Sequence, residues 1–366
     1  MIPVTKPYLP SREKLNKYID GIYERQWLTN NGQLVQELTQ RLEDYLGVDN
    51  LLLVSNGTLA LQIAYRALDV VNSGHDDNLE AITTPFTFIA TASSLKWDGV
   101  QPVFVDIDPY TWCLAPANIE AAITPKTRAI VPVHVFGNAC DVEAIEAIAG
   151  KHDLKVIYDG CHAFGVTYKG ESLLQWGDAA TLSFHATKLF HTAEGGAIIF
   201  KRKEDLERAK KMINFGITGP ESIDELGINA KMNELQAAMG LCVLDEMEDN
   251  LQARAQVWRR YEEALPKNLQ LQAKHETLGY NYAYFPVVFA SEEQAVRVAA
   301  TLKENGVLAR RYFYPSLESV SCLKAPAEQP MSKDIASRIL CLPIFDQLTQ
   351  VDQSNIVNWI KVELKA

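Results

Sequence analysis

Between residues 51 and 200 the chain alternates short β-branched or aliphatic runs with stretches whose apolar residues recur at helical spacing. The runs are Leu51 to Val54, Ala81 to Thr84, Pro102 to Asp106, Ala129 to Val135, Leu154 to Asp159, Ala180 to Phe184 and Ala197 to Lys201. Thr58 to Leu68, Ile89 to Lys96 and Asp141 to His152 are the helical stretches between them. This rhythm predicts an α/β domain, a mostly parallel sheet with helices on both faces. A further helix is predicted over Asn233 to Asp249, with Leu235, Ala238, Met239, Cys242, Val243 and Met247 on one face; it runs through a charged segment into a second long helix. Beyond Tyr282 the pattern predicts strands at Ala283 to Val288 and Val307 to Tyr314, and helices at Glu292 to Asn305 and Gln353 to Val362. The expectation is a large domain over residues 1–245, with an N-terminal arm over 1–30, and a smaller α+β domain over 246–366.

Composition adjusts this picture only at its margins. The 366 residues are 47% hydrophobic and 22% charged, enough chain for one large and one smaller compact domain. Net charge is −11, spread along the sequence, which speaks against the basic surface that nucleic acid requires. No segment approaches the roughly 18 apolar residues of a membrane span, and residues 1 to 20 carry charges and prolines where a signal peptide has an apolar run. Cys113, Cys140, Cys161, Cys242, Cys322 and Cys341 form no CxxC pair and read as free thiols in a reducing compartment. A soluble, cytoplasmic protein with neither nucleic-acid nor membrane partners is expected.

In an open α/β sheet a ligand site forms outside the carboxyl ends of the strands, so the polar residues that follow each run are the first candidates. Ser55-Asn56-Gly57-Thr58 follows the first run and opens a helix, offering free N–H groups and a hydroxyl to a phosphate. By itself the segment reads equally well as a Ser or Thr helix cap. Asp159 ends the fifth run, where a carboxylate can hold a pyridine nitrogen protonated so that the ring acts as an electron sink. A turn residue or a metal ligand fits the same position, although no acid or histidine stands at metal-ligand spacing with it. Lys188 follows the sixth run in Leu182-Ser183-Phe184-His185-Ala186-Thr187-Lys188, ahead of Glu194-Gly195-Gly196. That position suits a buried amine, whereas most single lysines are solvated surface residues. His134 and His191 could face a site or satisfy backbone groups, and His134 reads as structural.

Taken together these segments resemble the sugar aminotransferases of the DegT/DnrJ/EryC1/StrS family, in the aspartate aminotransferase fold type. Trp27 to Gly32, Ser55 to Thr58, Thr87 to Thr91, Pro132 to His134, Asp159 to Ala163, Ser183 to Lys188, Glu194 to Gly196 and Gly227 to Met232 carry the resemblance. It implies pyridoxal 5'-phosphate as cofactor and no metal, with Lys188 forming the Schiff base, Asp159 partnering the pyridinium nitrogen and His162 beside the ring hydroxyl. It also implies Phe88 stacked on the ring, Gly57, Thr58 and Ser183 around the phosphate, and Asn229 reaching that phosphate from a second subunit, hence a homodimer with shared sites. Thr29, Asn30, His185, Lys231, Arg310 and Tyr314 fall where relatives meet substrate. Two positions depart from the usual pattern: Tyr158 stands where many relatives carry Glu, and His162 where many carry Gln. The second exchange predicts a pH-sensitive protonation state at residue 162.

The implied reaction moves an amino group from L-glutamate to the keto carbon of a nucleotide-linked sugar, with Lys188 shifting the proton in both halves. Ile2 to Pro10, Trp27 to Gly32 and Ser183 to Lys188 look closest to enzymes that aminate C4 of a dTDP-4-keto-6-deoxyhexose for surface polysaccharides such as O-antigen. Amination at C3 and UDP- or GDP-linked sugars are the alternatives. A sugar dehydratase is disfavoured because Lys188 is present, a regulatory protein because Lys188, Asp159, His162 and Ser183 are all intact, and a nicotinamide dehydrogenase because no GxGxxG follows the first run.

Overall fold

The computed structural model describes residues 1–71, 79–323 and 329–365. Seven strands form the central sheet: β1 (Leu51–Val54), β2 (Glu80–Thr83), β3 (Gln101–Phe104), β4 (Thr127–Val131), β5 (Lys155–Asp159), β6 (Ala179–Ser183) and β7 (Gly196–Phe200). Their spatial order is β1-β7-β6-β5-β4-β2-β3. Only β7 runs against its neighbours. The inner strands are buried on both faces because both are covered, whereas the edge strand β3 alternates buried and half-buried residues. On one side lie α3 (Gly57–Ala67) and α6 (Lys203–Met212), sharing a core with Val54, Ile157 and Ile198. On the other lie α2 (Gln33–Leu46), α5 (Val142–His152) and α7 (Glu234–Asp245), packed with Leu53, Val156 and Tyr158.

Register decides which residues meet. Gly196, the first residue of β7, pairs with both Val54 and Ser183, so an antiparallel strand starts at the edge where β1 and β6 end. Asp159 pairs with Thr181 at the same edge. The segments after β1, β5 and β6 therefore converge although more than a hundred residues separate the first from the last.

The predicted helix at 233–249 divides at Glu246 into α7 and α8 (Met247–Ala264). Asn233 opens α7 with a capping box, its side chain accepting from Gln236 N while Gln236 answers at Asn233 N. The predicted strand at 307–314 is confined to Val307–Leu308, paired with Ile2–Pro3. Beyond it Phe313 takes a positive φ of 62° and Pro315 has no N–H to give a ladder, so the chain turns, buries Phe313 and packs the half-buried Tyr312 against Phe136. Phe285–Val288 and Ile339–Leu342 form an antiparallel pair: Phe285, Val287, Leu340 and Leu342 join an apolar cluster with Val257, Tyr261, Val298 and Ile356, while Val288, Ile339 and Cys341 join the cluster that holds Leu53, Val156 and Tyr158. Among the described residues no helix is long and apolar enough to cross a membrane.

Candidate active site

The carboxyl edge of the sheet holds a carboxylate without a cation. Asp159 is 4% exposed. Its Oδ2 accepts from Thr91 Oγ1 at 2.7 Å and its Oδ1 from the Cys161 N–H at 3.1 Å. Thr91 is in turn linked to Thr87 at 2.8 Å, one turn back near the start of α4 (Ile89–Trp97). No Lys, Arg or His pairs with Asp159 among the described residues. Buried carboxylates are costly unless a positive group compensates them, so this one is set for a cation that the chain itself does not supply.

His162 lies three residues on, fully packed between rings. It stacks on Phe136 at 5.9 Å and leans on Tyr284 at 4.4 Å. The Phe136 N–H donates to its Nδ1 at 3.1 Å, which leaves the ring proton on Nε2. Burial, reinforced by the nearby positive Lys188, pushes its pKa well below the ordinary value. The pH-sensitive state predicted at this position is therefore corrected: His162 is a neutral Nε2–H donor, which is the role an amide nitrogen fills at the same place. Beside it, burial and Asp159 push the Cys161 thiol up, so it stays protonated.

Lys188 is half-buried, and its Nζ donates to the Tyr284 hydroxyl at 3.3 Å. The turn that carries it is closed by Lys188 N to His185 O at 2.8 Å and Ala186 N to Ala193 O at 2.7 Å. His185 is exposed, its Nδ1 2.8 Å from Thr187 Oγ1 and its Nε2 3.7 Å from Glu194. His191, by contrast, spends both nitrogens on backbone, at Tyr8 O and Ala193 N.

Where β1 meets α3 the cap is Asn56, whose Oδ1 accepts from Leu59 N at 2.9 Å, and neither Ser55 nor Thr58. Gly57 and Thr58 keep first-turn N–H groups with no protein acceptor among the described residues, so the helix start remains open to an anion. Gly57 is glycine for a steric reason: a Cβ there would sit 2.8 Å from Ser183 Cβ. At Gly196 it would sit 2.7 Å from the Asn56 carbonyl carbon. Close approach brings Gly57, Thr58 and Ser183 to one place. Phe88 caps α4 with its ring 55% exposed, a flat face available to a ligand.

Pyridoxal phosphate suits this arrangement: an anion cradle at Gly57 and Thr58, an exposed aromatic face at Phe88, an uncompensated carboxylate at Asp159, a fixed donor at His162 and an amine at Lys188. A scan against protein families matches residues 10–361 to a model described as the DegT/DnrJ/EryC1/StrS aminotransferase family. The chain belongs to that family. It is accordingly an aminotransferase, and its cofactor is pyridoxal phosphate. Among curated proteins it is 41% identical to a dTDP-4-amino-4,6-dideoxy-D-glucose transaminase of Shigella dysenteriae, over 98% of each chain. A protein of the same name from Escherichia coli is 37% identical over 95% of each. Among solved structures DesI, determined in the presence of its TDP-sugar product, superposes with a TM-score of 0.92 at 31% identity, covering 99% of this chain and 92% of that one.

The other predicted positions are not joined to this group by hydrogen bonds among the described residues. Asn229 is exposed and bridges Asn214. Thr29 is exposed on the arm, its carbonyl taken by the Trp27 indole at 2.7 Å. Asn30 and Lys231 line a cavity of about 470 Å³ against the edge strand β1, which none of Lys188, Asp159 or His162 lines. Lys231 donates to Asn214 Oδ1 at 2.8 Å, and burial lowers its pKa. Arg310 is exposed over the Tyr312 ring at 4.7 Å, while Arg311 is committed to Glu292 and to the face of the half-exposed Tyr314. Sequence reasoning missed Tyr284, Thr91 as the support of Asp159, and Phe136 as the group that fixes the His162 tautomer.

Proposed function

We propose that the protein transfers an amino group from L-glutamate to C4 of a dTDP-linked 4-keto-6-deoxyhexose, producing an aminosugar for surface polysaccharide such as O-antigen. The observation that carries the chemistry is Asp159, buried without a cation and facing the edge where Lys188 waits. When bound, the cofactor supplies an electron sink for the carbon that loses its proton. Asp159 keeps the ring nitrogen protonated. His162 would offer its Nε2–H to the ring oxygen, and Phe88 would cover the ring face. Gly57, Thr58 and Ser183 hold the phosphate. Lys188 would hold the cofactor through its amine, and its Nζ, when free, would serve as the base that takes up and returns the proton in both half-reactions.

The named function of the Shigella and E. coli relatives supports the dTDP-sugar reading. A homodimer completes the site: Asn229 enters from the second subunit, and Thr29, Asn30, His185, Lys231, Arg310 and Tyr314 meet the substrate in the assembled cleft. The exposed apolar side chains of Trp27, Leu28, Phe215, Ile217, Ile228 and Leu235 support that pairing. In the same reading residues 1–245 form the cofactor domain and 246–366 a smaller one, supported by the separate apolar cluster beyond Val257, and the enzyme works in the cytoplasm. The test is incubation with L-glutamate and dTDP-4-keto-6-deoxyglucose, following 2-oxoglutarate and the mass of the nucleotide sugar. A gain of an amino group on the dTDP sugar, and none on UDP or GDP counterparts, is expected. Amination of a UDP or GDP sugar alone refutes the nucleotide assignment.

A further inference from the structure

Tyr284 touches Lys188 from 96 residues further along the chain, and its surroundings fix where its hydroxyl points. Asn281, buried three residues earlier, donates its amide to the carbonyls of both His162 and Phe164 at 2.9 Å, tying this segment to the loop after β5. Its Oδ1 accepts from Ala283 N, and the Tyr280 hydroxyl bonds to the Phe136 and Tyr284 carbonyls. The Tyr284 ring is clamped by His162 at 4.4 Å, Phe136 at 5.5 Å and Tyr312 at 5.6 Å. Its hydroxyl has one protein partner among the described residues, Lys188 Nζ at 3.3 Å. So much scaffolding around a single polar atom is what holds a partner in place.

We infer that Tyr284 is a positioning residue for Lys188, holding the amine over the reacting carbon in both of its protonation states; this rests on Lys188 as the cofactor lysine. A phenol hydroxyl both accepts from a protonated nitrogen and donates to a neutral one, so the contact survives each proton transfer. Burial keeps the Tyr284 hydroxyl protonated throughout. A hydrogen bond to a charged group is roughly twice as strong as a neutral one, so the protonated state of the nitrogen gains more from Tyr284 than the neutral state does.

The test is Tyr284→Phe, which keeps the ring and its packing and removes only the oxygen. Two readouts are taken on cofactor-loaded protein: the pH midpoint of the lysine–cofactor absorbance band, and the rate at which L-glutamate converts it. The inference predicts a band that persists with its midpoint lowered by about half a pH unit or more, and a half-reaction slowed roughly 10- to 100-fold with little change in the glutamate concentration needed. An unchanged midpoint overturns the inference, whether the rate falls or not, because a purely structural role slows turnover without touching the nitrogen's proton affinity. Absence of the band in the wild-type protein is a different result and refutes Lys188 as the cofactor lysine.

Discussion

Tyr158 and Asp159 are neighbours on β5 whose side chains leave opposite faces of the sheet. Tyr158 enters the core, stacked on His134 at 4.6 Å, and its hydroxyl finds no partner among the described residues. His134 is equally enclosed: its Nδ1 accepts from Cys140 N, its Nε2 has no partner there, and burial pushes its pKa down to about 3. Asp159, one residue on, has both oxygens hydrogen-bonded and still lacks the cation its charge calls for. Both faces leave polar groups underpaid. On the Tyr158 face the debt is to hydrogen bonding within packed core, and on the Asp159 face it is to charge, at an edge a ligand can reach. Unsatisfied polarity marks a site only where a ligand has access to it.

The largest effect expected from breaking this contrast is on the Asp159 face. Asp159→Asn removes the charge, keeps the shape, and should lower the glutamate half-reaction by roughly 10²–10³-fold, the cost of losing one preorganised electrostatic partner. The cofactor-free variant should melt at or above the wild-type temperature, since an uncompensated buried carboxylate has been removed. A large drop in melting temperature would show that Asp159 is structural.

The core face predicts a pH effect instead. His134 takes up its proton near pH 6.5 when unfolded but only near 3 when folded, so between those values the unfolded chain binds more protons and stability falls as the pH is lowered. About 1.6 kcal/mol should be lost from this residue between pH 6.5 and 5. Urea midpoints for His134→Phe should therefore fall less steeply over that interval than those of the wild type; parallel slopes would refute the assignment.

Smaller still is Tyr158→Phe, which deletes an orphaned hydroxyl. It should raise stability by up to about 1 kcal/mol and leave the half-reaction rate unchanged. A loss of rate would place Tyr158 in the site. The smallest change is expected for His162→Gln, another neutral donor at the same position. Its rate should stay within a few-fold of wild type, and the acid limb of the pH profile should not move, because His162 does not titrate there. A displaced acid limb would mean that His162 charges during turnover.

How much of this the sequence discloses depends on whether the determinant is local. Asp159, Ser183 and Lys188 are legible because each stands at or just after the end of an apolar run, and the carboxyl ends of parallel strands are brought together by the sheet itself. The cap itself is misplaced by the sequence, which points to Ser or Thr, whereas Asn56 accepts from Leu59 N; three neighbouring residues share cap chemistry and only the backbone shows which one stands at the helix start. Thr91 stands inside the Thr87 to Thr91 segment, but only the folded chain, which brings it to a residue 68 positions away, shows its hydroxyl on Asp159. The His162 tautomer depends on the Phe136 N–H, which points at the ring because Phe136 adopts a φ of 57° that no periodicity reports. Helices α1 (Arg12–Arg25) and α2 were also overlooked. The first is mostly polar, while the second carries a clear stripe of Leu34, Leu38 and Leu42. Tyr284 lay beyond reach, one tyrosine in an aromatic cluster, brought to Lys188 by a segment 96 residues away.

The central claim is that Lys188 carries the cofactor and exchanges it with an amino donor. The measurement that addresses it most directly is the absorbance spectrum of purified protein with pyridoxal phosphate, before and after L-glutamate, alongside Lys188→Ala. A band in the wild type that glutamate converts to the amino form of the cofactor, absent or unresponsive in the variant, is the predicted result. A wild type with no such band, or a Lys188→Ala variant that behaves as the wild type does, would contradict it.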